Sequence, residues 1–223
     1  AIAKSLSRVS NTRLSMVVDV DAEQGQGLAR DYRVPWSPTL SEAADLSDVD
    51  AVYIAIPHLL HSALIQEAVS YGKHIMVEKP LATTVEAATR AVVAAHQAKV
   101  KLSVSFNQRY FAHILRAREL IQEGVLGRLL GVQLTVHVDR GADYWAGGTD
   151  WRASWEESGG GYFFNTGCHN LDWLRFVTGQ EITEVSAMYA TVDSLAAVDD
   201  TMCLSLRYGN GALGTINCAS CVR

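Results

Sequence analysis

The stretch Gly72-Lys73-His74-Ile75-Met76-Val77-Glu78-Lys79-Pro80 is a short apolar strand that stops abruptly on an acid, a base and an imino acid. In an open α/β sheet the carboxyl ends of the strands face the ligand crevice, so this pattern delivers Lys79 to a place where chemistry occurs. Proline after it keeps Lys79 out of the right-handed helical region and fixes the backbone direction, which helps to hold an ammonium group in one position. The plainer alternative is a strand end followed by an ordinary turn.

A second constellation lies in the run from Gly159-Gly160-Gly161 to Asp172. At about 100° per residue, Asn165, His169 and Asp172 fall within roughly 60° of one another on a helix and form one polar face. Phe164, Leu171 and Leu174 lie on another side, suited to packing on a sheet, so the polar trio is expected to look into a cleft or solvent. A histidine with an unperturbed pKa near 6.5 can take a proton from a hydroxyl at neutral pH. The same spacing also suits a hydrogen-bonded histidine that orients a buried helix.

Asp19 closes an early strand, where an acid can accept hydrogen bonds from the ribose hydroxyls of a dinucleotide. No G-x-G-x-x-G is present. Either the sequence begins after the glycine turn or the dinucleotide reading is wrong, and residues 1–9, which read as the rest of a first helix, favour truncation. Pro57-His58-Leu59-Leu60-His61 follows a buried strand and opens a helix, a position from which side chains reach a crevice. His58 and His61 lack a third metal ligand, and helix capping or exposure is the simpler role. Cys218 and Cys221 have zinc or redox spacing, but in an extended segment positions i and i+3 point to opposite faces, so no metal site is assigned. Tyr144, Trp145, Trp151 and Trp155 crowd a glycine-bearing loop, where rings could stack on a sugar or cover the domain edge.

The elements that must position these residues alternate through the first hundred positions. Strands are expected at 14–19, 51–56, 73–78 and 101–106, with helices at 22–31, 60–71 and 84–98. Strand-helix alternation with apolar strands means a parallel sheet covered on both faces. After about residue 108 come a helix at 111–123, a long strand at 128–138, an irregular segment to about 158 and a helix from near Gly161. Strands at 182–192, 199–208 and 212–219 follow, with Tyr208-Gly209-Asn210-Gly211 as a hairpin turn. The expected architecture is α/β, a doubly wound parallel sheet over residues 1–107, followed by an α+β domain over residues 108–223 with an open, mostly antiparallel sheet.

At 223 residues and 48% hydrophobic content the chain can bury a sizeable core. A net charge of -5 and the lack of a basic cluster argue against nucleic acid as partner, and a small molecule is expected. No apolar run reaches the roughly 18 residues of a membrane span, and the start lacks a signal-like apolar segment, so a cytoplasmic location is expected. Four cysteines in a chain this long read as reduced thiols.

Together these residues resemble the Gfo/Idh/MocA family, the glucose-fructose oxidoreductase and inositol dehydrogenase group. The matching pieces are Val17-Val18-Asp19, Ile56-Pro57-His58-Leu59-Leu60-His61, Gly72-Lys73-His74 running into Glu78-Lys79-Pro80-Leu81, Asn107-Gln108-Arg109-Tyr110, and the glycine triplet leading to His169 and Asp172. The resemblance implies an N-terminal Rossmann domain, a C-terminal sheet that makes homodimer or homotetramer contacts, and hydride transfer between NAD(P) and a secondary alcohol or ketone of a sugar, cyclitol or related polyol. Lys79 would hold the reacting oxygen and His169 would act as acid or base, with Asp172 and Asn165 in support. Asp19, Ile56, Pro57, His58, His61, Glu78, Lys79, Asn107, Trp151 and Arg152 would lie on the cofactor side, and a cis peptide would precede Pro80. Asp19 followed by Val20 favours NAD over NADP, because a 2′-phosphate would meet an unbalanced carboxylate.

Departures from the family stand out: the absent glycine turn, an expected shortening of the C-terminal part, and Asn165 where many members carry an aspartate. Asn165 can orient His169 but cannot offset an imidazolium charge. His58 also replaces the usual asparagine. An NAD-using glycosidase and a noncatalytic ligand-binding or regulatory protein are the competing readings.

Overall fold

The computed structural model describes residues 2–43, 46–141, 144, 145, 150–193 and 196–221. After a short helix α1 (Ile2–Leu6), the first part of the chain alternates strand and helix: β1 (Val17–Val18), α2 (Ala22–Tyr32), β2 (Trp36–Ser37), β3 (Ala51–Ile54), α3 (His61–Ser70), β4 (His74–Val77), α4 (Val85–Gln97) and β5 (Leu102–Val104). All pairings here are parallel, β1 with β2 and β3 with β4 with β5. Parallel pairing needs a crossover between consecutive strands, and α3 and α4 supply two of them.

Local signals explain where the helices start. Asp21 accepts the Glu23 and Gln24 backbone N–H groups at 3.0 and 3.1 Å, and Thr84 accepts that of Ala87 at 3.1 Å, satisfying donors that have no partner inside the helix. Ile54, Ile65, Ile75, Val77, Ala68 and Ala91 form the core between sheet and helices. Each of the larger aliphatics contributes roughly 2 kcal/mol by leaving water. β2 was not expected from the sequence, because two paired residues carry no periodicity. β1 is likewise limited to Val17–Val18 rather than residues 14–19.

The second part contains α5 (Ala112–Gln122), β6 (Gly131–His137), a one-turn helix α6 (Trp155–Ser158), α7 (Cys168–Thr178), β7 (Ile182–Ala190), β8 (Thr201–Tyr208) and β9 (Leu213–Ala219). Its sheet has the order β6-β9-β8-β7. β7, β8 and β9 pair antiparallel as expected, whereas β6 runs parallel to β9, so the sheet is mixed. The Tyr208–Gly211 turn closes on a Gly211 N–H to Tyr208 carbonyl bond of 2.9 Å, with Gly211 at φ 86°, a conformation that favours glycine. One face of this sheet packs through Leu204, Leu206, Ile216 and Cys218 against Tyr162 and Leu174.

The segment expected as a regular helix from Gly161 begins differently. Residues Phe163–Gly167 form a π-helical turn, in which the Cys168 N–H bonds to the Phe163 carbonyl, and regular α geometry starts only at Cys168. Cys218 is buried, and Cys221 sits in an isolated bridge with Asp139. Among the described residues no three His, Cys, Asp or Glu side chains gather as metal ligands, and no helix is long and apolar enough to cross a membrane.

Candidate active site

A cavity of about 370 Å³ opens at the carboxyl ends of β3 and β4. Ala55, Ile56, Pro57 and His58 come from the end of β3, and Glu78 and Lys79 from the end of β4. Tyr144, Trp151, Arg152 and Asn165 close it from the second part of the chain. The strand geometry explains the first six: each strand stops where its apolar residues end, and the next residues spill over the sheet edge.

Lys79 crosses from one half of the molecule to the other. Its Nζ donates to the backbone carbonyl of Asn165, in the π-helical turn just before α7. A π turn is found frequently at functional sites. The Lys79–Pro80 peptide is cis.

His169 lies one turn further along and is 8% exposed. Burial and the neighbouring Lys79 ammonium push its pKa down to about 4. It therefore departs from the ordinary value near 6.5, and the ring is neutral throughout the neutral range. Its Nδ1 is buried and meets no hydrogen-bond partner among the described residues. His58 behaves alike: burial drives its pKa down to about 4 despite the bond of Nδ1 to the Ser158 carbonyl at 2.9 Å. Because that partner is a carbonyl, Nδ1 carries the proton. Trp151 stands edge-on to His58 at 4.6 Å, and Arg152 stacks over Trp151 at 4.4 Å.

Several residues expected in the site have other partners. Asn165 is 2% exposed, and its amide donates to the Gly160 and Gly161 carbonyls at 3.1 and 3.0 Å, so it does not orient His169. The π turn changes the angular spacing on which the shared polar face was argued: all three members are buried, and of them Asn165 lines the cavity while His169 and Asp172 do not. Asp172 is committed to Arg109, with Nε to Oδ2 at 2.6 Å and a second bond from Nη2 to Oδ1. Both carboxylate oxygens are thereby taken up by the guanidinium. His61 is fully enclosed, its two ring nitrogens 2.8 and 2.9 Å from the Pro80 and Ile56 carbonyls, so it braces the cavity wall and cannot touch a ligand.

Asn107 is exposed and outside the cavity lining. Asp19 follows β1 and accepts the Asp21 N–H through Oδ1 at 2.9 Å, also away from the cavity walls. Sequence reasoning missed Tyr53 and Arg109 as site supports. Tyr53 donates to Glu78 Oε1. Neither pairing had a sequence signal, because the partners lie 25 and 63 positions apart.

Fold and cavity together define an α/β protein whose parallel strands end on a cavity, followed by an α+β part. Residues 2–106 match the oxidoreductase family with an NAD-binding Rossmann fold, and residues 114–223 match the Gfo/Idh/MocA C-terminal domain. The chain belongs to the Gfo/Idh/MocA family. It is 30% identical over 208 residues to 1,5-anhydro-D-fructose reductase of Ensifer adhaerens, covering 92% of this chain and 61% of the relative. Inositol 2-dehydrogenase of Rhizobium meliloti is 28% identical over 219 residues, covering 96% and 63%. Among solved structures, the WlbA dehydrogenase from Bordetella pertussis in complex with NADH and UDP-GlcNAcA superposes with a TM-score of 0.93 at 28% identity, covering 99% of this chain and 63% of that one. The chain thus spans about three fifths of the length of the relatives it matches.

Proposed function

We propose that this chain carries the reacting centre of an oxidoreductase that transfers a hydride between NAD and a secondary alcohol or ketone of a sugar, cyclitol or related polyol. The carrying observation is the reach of Lys79 from the edge of β4 to the segment before α7, where its charge also depresses His169. An ammonium and a neutral imidazole in such proximity suit an oxygen that changes charge during reaction.

The residues present fit a nicotinamide dinucleotide. The cavity lies at the carboxyl edge of parallel strands, where such ligands are held, and Glu78, Trp151 and Arg152 offer an acid, a ring and a cation at its walls. When bound, the nicotinamide supplies or accepts the hydride. Lys79 holds the substrate oxygen and stabilises its developing negative charge, while the neutral imidazole of His169 takes the hydroxyl proton or returns it. Asp172 keeps to Arg109.

NAD is favoured over NADP. Asp19 stands at the end of β1 beside Val20, which is 84% exposed and offers no positive partner for a 2′-phosphate. The far face of the mixed sheet leaves Met188 and Leu213 exposed, which supports a homodimer or homotetramer formed through that face.

The decisive experiment screens the full-length protein against sugars and cyclitols while following NADH absorbance, with parallel titrations of NAD and NADP. Substrate-dependent NADH formation and tighter NAD binding are expected. Product without net NADH would move the assignment to an NAD-using glycosidase, and tighter NADP binding would overturn the cofactor preference. Failure to bind either cofactor would remove the oxidoreductase reading.

A further inference from the structure

We propose that Tyr53 is a positioning residue that fixes the carboxylate of Glu78 at the wall of the cavity. The inference rests on the reading of that cavity as a dinucleotide site. Tyr53 itself is not part of the cavity lining, whereas Glu78 is, so any effect of the phenol on a ligand passes through the carboxylate.

Three adjacent parallel strands bring the parts together. Tyr53 is the third residue of β3, Glu78 follows β4 and Ser105 follows β5. The Tyr53 hydroxyl donates to Glu78 Oε1 and lies 3.3 Å from Ser105 Oγ. Glu78 is held by its backbone as well, its N–H bonding to the Ile54 carbonyl at 2.8 Å. The other carboxylate oxygen, Oε2, stands 3.4 Å from the Lys79 N–H. A glutamate side chain that would otherwise sample many rotamers is thereby restricted to one, with the ordering cost met before any ligand arrives.

Burial, then the bond to Glu78, push the Tyr53 pKa up to about 12, so the phenol remains a donor across the working pH range. Strand registry adds to the precision. Tyr53 pairs with Met76 and Ile54 with Val77, which sets Glu78 one step beyond the paired residues. A phenol on β3 is thus long enough to reach the first carboxylate past the end of β4.

Tyr53→Phe keeps the ring and removes only the hydroxyl, so it separates positioning from packing. In the full-length protein, NADH affinity is to be measured by fluorescence titration for the parent, Tyr53→Phe, Glu78→Ala and the double variant, alongside thermal unfolding. Tyr53→Phe is expected to weaken NADH binding roughly fivefold to tenfold, the scale of a hydrogen bond to a charged group, with little change in unfolding temperature. The double variant should bind no worse than Glu78→Ala alone, because the phenol acts through that carboxylate. Unchanged NADH affinity in Tyr53→Phe, or losses that simply add in the double variant, would overturn the inference while leaving the dinucleotide reading intact. If the parent binds no nicotinamide cofactor, both fall together.

Discussion

Arg109 grips Asp172 with two parallel hydrogen bonds, one of them 2.6 Å long, and so ties the turn after β5 to the middle of α7. The carboxylate is 7% exposed and the guanidinium 38%, so the pair is screened on one side only. Both Arg109 and Arg118 also stack over Phe176 of α7, at 5.2 and 3.9 Å. The helix that carries His169 is thereby anchored three residues from the imidazole.

Asp172→Asn should destabilise the protein by about 1–2 kcal/mol, below the figure for a fully buried pair because Arg109 reaches solvent. Turnover should fall while cofactor affinity stays within about twofold of the parent, a difference of under 0.5 kcal/mol, since α7 shifts and the β3 and β4 edges do not. Urea unfolding and a kcat against KM comparison check this. A large loss of activity with unchanged stability would instead return Asp172 to a direct chemical role.

For Lys79→Ala, turnover is expected to drop about a hundredfold, the scale of losing one charge-assisted donor in the transition state. Its ammonium lies beyond the apolar residues of β4 and, among the described residues, donates to the Asn165 carbonyl. The unfolding temperature should therefore move by no more than about 3 °C, the shift that ~1 kcal/mol produces in a chain of this size. Retained activity would dismiss Lys79 as the group that holds the reacting oxygen.

Acid should weaken the fold through its two suppressed histidines. His58 and His169 have folded pKa values of about 4, below the unfolded value of 6.5. Between those limits the unfolded chain binds protons that the folded chain refuses, so stability is full above roughly pH 6.5 and declines as pH falls toward about 4. At pH 5 each histidine should cost on the order of 2 kcal/mol. Denaturant midpoints from pH 7.5 to 5 measure the decline, and His58→Asn should remove about half of it.

Gly161→Ala tests the entry to the helical segment. A Cβ there would lie 1.8 Å from the Asp199 carbonyl oxygen and 2.6 Å from its carbonyl carbon, both backbone atoms. Asp199 simultaneously takes the Gly161 N–H on Oδ1 and the Tyr162 N–H on its carbonyl, each at 2.8 Å. The clash cannot be relieved by a side-chain movement, so a loss of about 3 kcal/mol or more is expected. Thermal unfolding near that of the parent would show that this approach is not as close as the geometry indicates.

The sequence by itself determined the elements whose residues act locally. Alternating apolar runs marked β3, β4 and β5 with their crossover helices, the Tyr208–Gly211 turn marked the β8–β9 hairpin, and the strand ending in Glu78-Lys79-Pro80 put Lys79 at a sheet edge. Periodicity and turn chemistry depend only on near neighbours, so they are legible in one dimension. The tertiary structure decided which polar groups remain free. Asp172 is claimed by Arg109 and Asn165 by the glycine carbonyls, His61 is enclosed between two carbonyls, and His169 is kept neutral by burial and Lys79. It also decided that β6 runs parallel to β9 and that a π turn precedes α7. Those outcomes depend on desolvation and on partners tens of residues away, and neither quantity is carried by the spacing of residues along a chain.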